Sequence, residues 1–444
     1  LEVFEMEKKI NVGIIGYGTV GKGTLDALRQ NVKSTAVKTG LDIHVKAVAD
    51  LRINDFTNDT ILQTVPTLTT DAMEILNDPE IDIVVELIGG YNAAKKFILA
   101  AIDKGKHVVT ANKALLAVYG AEIFKAAEDK GVTIGFEASV GGGIPIIRVL
   151  KEDLAANRIL EITGIINGTA NYILSKMEDE GKEFEDVLKE AQELGYAEAD
   201  PTFDVEGQDT AHKIAILASI GFATLVPFEK VFVEGITSIK QVDIDFARKL
   251  GCRIKLLAIA KRHDDDIEVR VHPTMIPVTD LLAQVNGVYN AITVSGNKVG
   301  ETFHYGQGAG GSATGSAVAG DILSIARDIS AGCCSRVPVL GFTKDLTYYF
   351  PLRDIKEIES CFYLRFLAVD EPGSLSQIAS VLAKYGISIY QAIQSSKQNY
   401  GETVPLVFMT HLTEGSKMLR AVNEINSLSV VSDKTVVIRV EGLE

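Results

Sequence analysis

Residues 9–25, KINVGIIGYGTVGKGTL, decide how the rest of the chain reads. A short apolar strand over 9–15 runs into Gly16-Tyr17-Gly18-Thr19-Val20-Gly21, and a helical pattern follows through Leu28. In G-x-G-x-x-G the first glycine permits a tight turn and the second lets a pyrophosphate approach the backbone. The third lets helix pack on strand, with the helix N-terminus facing the phosphates. Alone the motif is weak; between a strand and a helix at the head of a chain it points to a bound dinucleotide. Gly16, Gly18, Thr19, Val20 and Gly21 are then its contact residues.

An alternating β/α pattern extends from this point. Residues 43–50 (IHVKAVAD) read as the second strand, whose end reaches an adenosine ribose. Asp50 there would accept from a ribose 2′-hydroxyl and favour NAD, whereas Arg52 would pair with a 2′-phosphate and favour NADP. Both stay open, with a lean to NADP, because Asp50 falls later than the usual ~20 residues after the glycine loop. Residues 81–88 (IDIVVELI) form the near-continuous apolar strand of a doubly covered parallel sheet and end in Gly89-Gly90. A helix over 93–103 and a strand over 106–110 follow, and TANKALLA (110–117) turns that strand directly into a helix. Thr110 at the strand end joins the cofactor-binding set. Lys113 sits at the helix start, where a cation is disfavoured and its pKa depressed if it is partly buried, a placement more often functional than decorative. A strand over 132–137 leads to EASVGGGIP (137–145), which leaves the alternation. Those glycines either only permit a turn or also expose carbonyls to a ligand or cation.

A second stretch, GYAEADPTFDVEGQDTAHK (195–213), carries most of the polar chemistry. Glu198, Asp200, Asp204, Glu206 and Asp209 crowd together ahead of KIAILASIGFAT, a run too apolar for a solvent-facing helix. With a helix starting near Asp209, Asp209 and Lys213 share one face at the mouth of a buried element. The plain reading is a surface salt bridge beside a capping loop. The sharper one is an active site with carboxylates for a substrate ammonium and a lysine to move a proton.

Around this stretch, 159 to about 291 mixes strands (159–167, 231–236, 254–260, 267–272) with helices (169–180, 184–194, 209–221, 243–250), an α+β substrate domain. Asn167-Gly168-Thr169 joins strand to helix where backbone donors and a hydroxyl can grip a carboxylate. Residues 306–320 (GQGAGGSATGSAVAG) open a small-residue helix to about Ser330. It either only packs closely or returns to the nucleotide domain with Gly308 near the cofactor. After a connector, residues 361–440 give β-α-β-β-α-β, a ferredoxin-like module without a catalytic cluster. The expected layout is a dinucleotide domain over 6–140 completed by 305–330, a substrate-binding and dimerisation domain over 141–304, a connector over 331–357 and the module over 358–444.

Composition agrees with a soluble multi-domain protein: 444 residues, 46% hydrophobic and 23% charged. No run of eighteen apolar residues exists, which excludes a membrane helix. A net charge of −15 argues against a nucleic-acid partner and leaves small metabolites. Cys252, Cys333, Cys334 and Cys361 show neither metal-ligand spacing nor a disulfide framework, which fits a reducing cytoplasm. LEVFE before Met6 lacks a signal-peptide core and is expected to be an expression remnant outside the fold.

Taken together, IGYGTVGKG, ANKALLA, EASVGGGIPII, INGTANYIL, GYAEADPTFDVEGQDTAHK and DEPGSLSQIASVLAKYGISI resemble the homoserine dehydrogenases of the single-activity bacterial kind, with a trailing ACT regulatory module. The resemblance runs from about residue 10 to the end and is most specific in GYAEADP…D…AHK. It implies a Rossmann-type domain and reversible NAD(P)-dependent hydride transfer between L-aspartate 4-semialdehyde and L-homoserine, in threonine, methionine and isoleucine biosynthesis. Lys213 then matches the family's acid/base lysine, and Lys113 the lysine between nicotinamide and substrate. Glu198 and Asp209 match the carboxylates that hold the substrate amino group, beside Asp204, Gly168 and Thr169. Glu137 by its side chain, and Val140, Gly142 and Ile144 by their carbonyls, match a site for a monovalent cation, Na+ or K+. The ACT resemblance implies an amino-acid effector such as threonine, with 370–375 lining its pocket, and a homodimer or homotetramer. A phosphorylating semialdehyde dehydrogenase would need a cysteine nucleophile, which Cys252 does not resemble. A non-catalytic sensor of dinucleotide and amino acid would not need Lys113 and Lys213.

Overall fold

The computed structural model describes residues 8–333, 336–343, 347–394 and 403–443; LEVFE, Met6 and Cys334 lie outside the described residues. The chain divides into two compact units. One holds the chain up to Ile162, His212–Lys230 and Tyr289–Phe350; the other holds Thr163–Ala211, Val231–Val288 and the chain from Pro351 onward.

The first unit is built on six strands in the order Thr67–Thr69, Leu41–Ala49, Lys8–Ile15, Ile83–Glu86, His107–Thr110, Ile134–Gly135, each pair parallel. This is the doubly wound dinucleotide-binding order, whose direction reverses between Lys8–Ile15 and Ile83–Glu86. Ile83–Glu86 is buried throughout, as a central parallel strand covered on both faces must be. The strand expected over 132–137 is only Ile134–Gly135, because Glu137–Ser139 coils into a 3₁₀ turn. At the reversal point Gly16 has φ +104°, and a Cβ there would lie 2.7 Å from the Leu87 backbone, so only glycine closes the turn.

The small-residue stretch does return to this unit. Helix Gly311–Ser330 lies against helix Thr19–Gln30 so closely that a Cβ on Gly23 would sit 1.9 Å from the Gly311 carbonyl oxygen. Val318, Ile322 and Ile325 then join Val12, Ile14 and Leu25 in one core. Ahead of that helix an antiparallel hairpin, Tyr289–Gly296 with Gly300–Gln307, appears that the sequence pattern did not reveal.

In the second unit, strands Cys252–Arg262 and Ile267–Pro277 pair antiparallel along their whole length, longer than expected. The strand expected over 231–236 shrinks to Phe232–Val233, because after Glu234 the backbone leaves Val271 and donates from Ile236 to Val205 instead. The C-terminal strands run Val436–Val440, Glu359–Val369, Thr403–Thr410, Ile389–Gln394, all antiparallel. With helices Ser374–Lys384 and Gly415–Ile425 over a core of Phe362, Leu364, Phe366, Phe408 and Leu382, this is the ferredoxin-like module. Its strand Val436–Val440 also pairs parallel with Ile267–Pro277. Buried polar links accompany that seam. Asp243 takes Arg365 at 2.6 Å and the Tyr363 hydroxyl at 3.0 Å, while Arg270 holds Glu268 at 2.9 Å and Glu441 at 2.8 Å.

Helix Gly311–Ser330 is fastened at Asp321, whose Oδ2 accepts from the Glu137 amide at 2.8 Å and whose Oδ1 lies 3.3 Å from Arg148. Burial pushes the Asp321 carboxyl up to about 7, with the Glu137 carboxylate adding to the rise and Arg148 and Lys151 opposing it. A value raised in the folded state means that the native protein holds this proton more tightly than the unfolded chain. The contribution is therefore complete below about pH 4 and is lost as pH rises towards 7. We expect Asp321→Asn, which cannot ionise, to gain stability relative to the parent by on the order of 1–3 kcal/mol as pH rises across that window. Urea unfolding midpoints of both proteins at several pH values check this; parallel curves would refute it.

Candidate active site

The residues expected to bind the cofactor lie in the first unit. Asp50 turns inward: its Oδ2 accepts from the Tyr17 amide at 2.7 Å and its Oδ1 from the Arg52 amide at 2.8 Å. It braces the glycine loop, while the Arg52 side chain is exposed. Thr19 and Val20 open the helix that follows, and Val20 packs against the core.

Across the reversal point, Glu86, which no motif marks, organises the neighbouring loop. Fully buried at a strand end, it accepts from the amides of Ile88 at 2.9 Å and Gly89 at 3.2 Å and from the Thr110 hydroxyl at 2.7 Å. Burial pushes its pKa up. Asn112 ties this loop to the next helix: Oδ1 caps Leu115 N at 3.1 Å and Nδ2 donates to Gly90 O at 2.7 Å. Lys113 is the first residue of helix Lys113–Lys130 and is half-buried.

The loop 137–145 meets the loop after the hairpin. Gly143 N donates to Gln307 O at 3.0 Å, and a Cβ on Gly142 would lie 2.5 Å from the Gly308 carbonyl. Gly308 in turn abuts the side chain of buried Asn290. Glu137 is buried with its carboxylate turned to the chain after Pro145: Oε1 accepts from Ile146 N at 2.7 Å and Ile147 N at 2.8 Å, and Oε2 from Arg148 N at 2.9 Å. Of roughly four acceptor positions on a carboxylate, three are used, so a cation would draw mainly on the Val140, Gly142 and Ile144 carbonyls. Among the described residues no group of three or more His, Cys, Asp or Glu could hold a metal ion.

Gly168, Thr169, Glu198, Asp204 and Asp209, expected to bind substrate, lie in the second unit, two of them around Asn167. Its Oδ1 caps helix Gly168–Glu180 by accepting from Ala170 N at 2.8 Å. Its Nδ2 donates to Asp204 at 2.7 Å and to Asp209 at 2.9 Å. One neutral amide thus gathers two of the carboxylates singled out in the sequence. Gly168 starts the helix, and the Thr169 hydroxyl donates to Tyr196 O at 2.7 Å. Glu198 is exposed on a turn whose carbonyl accepts from Gln192 Nε2 at 3.1 Å.

Helix Gln208–Gly221 carries the chain from the second unit back to the first, and every side chain from Asp209 to Ile220 is buried. Asp209 is 2% and Lys213 8% exposed, one helical turn apart. A carboxylate and an ammonium are therefore presented side by side on one buried element, able to bind a cationic group and to exchange a proton.

Comparison with known proteins identifies the family. Residues 145–323 match the family described as Homoserine dehydrogenase, residues 16–137 its NAD binding domain and residues 362–430 the ACT domain. The homoserine dehydrogenase of Pseudomonas aeruginosa is 46% identical over 98% of this chain and 100% of its own. That of Bacillus subtilis is 39% identical over 98% and 99%. Among solved structures, a homoserine dehydrogenase from Thiobacillus denitrificans superposes with a TM-score of 0.92 at 46% identity, covering 98% of each chain. A hyperthermophilic archaeal homoserine dehydrogenase mutant in complex with NADPH gives 0.60 at 27% identity, covering 72% of this chain and 98% of its own. No helix among the described residues is long and apolar enough to cross a membrane. The chain belongs to the homoserine dehydrogenase family, and it is an oxidoreductase with a dinucleotide-binding domain and a C-terminal ACT domain.

Proposed function

We propose that this protein interconverts L-aspartate 4-semialdehyde and L-homoserine with NADP, in the cytoplasm, as a step of threonine, methionine and isoleucine biosynthesis. The observation that carries the reading is the buried Asp209–Lys213 turn. The ammonium of Lys213 stabilises the oxygen on which negative charge builds as the aldehyde is reduced, and protonates it; in reverse the neutral amine takes the hydroxyl proton. The substrate's own ammonium is held by Asp209 and Glu198, with Asp204 kept close by Asn167, since a buried cation without partners would be costly. Gly168 and Thr169 face the substrate carboxylate, and Lys113 lies between nicotinamide and substrate. NADP, when bound, supplies or accepts the hydride.

Gly16, Gly18, Thr19, Val20, Gly21, Thr110 and Gly308 line the dinucleotide, and Arg52 pairs with the 2′-phosphate. That preference draws on Asp50, whose two oxygens already serve backbone amides. A monovalent cation, Na+ or K+, binds at the carbonyls of Val140, Gly142 and Ile144 beside Glu137. The ACT domain takes an amino-acid effector, threonine, and the chain works as a homodimer or homotetramer.

Purified protein given L-homoserine and NADP in monovalent salt should form NADPH, and faster than it forms NADH from NAD. Folded protein with no homoserine-dependent rate would end the reading. Lys213→Ala should fold, still bind cofactor and lose roughly 10²–10⁴-fold in kcat; near-parental turnover would remove Lys213 from the chemistry. Arg52→Ala should raise KM for NADP by about tenfold while leaving NAD little changed. Equal losses for both cofactors would reject Arg52 as the selector.

A further inference from the structure

We propose that Arg439, on the last strand of the C-terminal module, is a positioning residue for the carboxylates that receive the substrate's amino group, so that the module takes part in setting substrate affinity. This rests on the substrate reading given above.

The link is short and lies within the second unit. Phe232–Val233 and Val436–Val440 both pair parallel with strand Ile267–Pro277, the first at Arg270 and Val271, the second at Thr274 and Met275. Arg439 reaches from the second strand to the first: its guanidinium lies 4.9 Å from the Phe232 ring centroid and 3.5 Å from Glu234 Oε2. Only 16% of the Arg439 side chain is exposed, so the charge depends on these partners.

The chain after Glu234 then closes on the substrate segment. Gly235 packs against it so tightly that a Cβ there would lie 2.6 Å from both the Glu206 Cα and the Val205 carbonyl oxygen. Ile236 N donates to Val205 O at 2.8 Å, and the Thr237 hydroxyl to Glu206 at 2.9 Å. Residues 205 and 206 lie directly between Asp204 and Asp209, which share the Asn167 amide. The route from Arg439 is therefore an ion pair and a ring contact, a backbone clamp and two carboxylates, with no unconnected step.

Loss of the guanidinium leaves Glu234 without its cation and Phe232 without its cover. The segment 232–237 then loses its fixed seat, and the clamp on 205–206 loosens with it. The dinucleotide-binding residues belong to the other unit and have no part in this route. The expected signature is a change confined to one substrate.

The test is Arg439→Leu and, separately, Glu234→Gln, with KM for L-homoserine and for NADP measured on the full-length protein. Each variant should raise KM for L-homoserine roughly 3- to 20-fold, with KM for NADP held within about twofold. The double variant should be no worse than the more affected single one, because both remove the same link. Arg439→Lys, which keeps the charge but not the planar stacking, should recover part of the loss. Unchanged KM for L-homoserine in both singles, or an equal rise in both KM values, would overturn the proposal. Amide hydrogen exchange over 203–210 supplies a readout that needs no turnover: it should quicken in Glu234→Gln, the milder change, and unaltered protection there would overturn the proposal even if Arg439→Leu fails to fold. Absence of turnover in the parent protein would count against the substrate reading and leave the exchange measurement to decide the wiring.

Discussion

The side-chain amide of Asn167 does three jobs at once, and the arrangement of Asp204 and Asp209 depends on their being compatible. Its oxygen caps helix Gly168–Glu180, a contribution of about 1 kcal/mol in such positions. Its nitrogen donates to Asp204 and Asp209, and bonds to charged groups are each worth about 1.5–3 kcal/mol. Two carboxylates drawn together by one neutral donor repel each other. That repulsion works against stability, and the two hydrogen bonds from the amide offset it. An Asp in place of Asn167 would keep the cap and turn the pair of attractions into repulsions, so the amide is required by its two-sided chemistry rather than by its shape.

A second constraint is that backbone N–H groups in loops need acceptors, and here carboxylates at expected ligand positions supply them. Asp50 sits where a dinucleotide-binding acid would meet the ribose, yet both oxygens serve the amides of Tyr17 and Arg52. Glu137 sits where a cation ligand belongs, and it serves three amides after Pro145. In both cases the acid holds a loop in shape. Glu86 is the same device with no motif to announce it, bracing 88–89 and Thr110 from beneath the site.

These cases also mark what could be read from the sequence. The glycine loop, the turn from Asp209 to Lys213 and the β-α-β-β-α-β order were legible because each is local: a turn, one helical repeat, an alternation of periods. Hairpin Tyr289–Gly296 with Gly300–Gln307 was not, since its exposed, mixed second strand carries no clean alternation. The strand expected over 231–236 has the right residues, but Ile236 donates to Val205 rather than to the sheet, a choice made by a segment distant in sequence. Glu86, Asn112 and the nitrogen of Asn167 act through partners between 2 and 42 residues away, and no spacing rule marks them. A buried glutamate ending an otherwise apolar strand, VVE at 84–86, was the one available signal.

The C-terminal ACT domain shows that a small module need not hang on a linker. Its strand Val436–Val440 shares a ladder with Ile267–Pro277, and Asp243–Arg365 and Glu268–Arg270–Glu441 are buried beside it. Burying such pairs costs hydration that their attraction returns only with close geometry, and apolar residues of the same size would often hold the seam as well or better. What ion pairs add is a defined register, because a slip of one residue strands a charge. Strand Ile267–Pro277 carries Phe232–Val233 on the same edge, and the chain that follows donates from Ile236 to Val205.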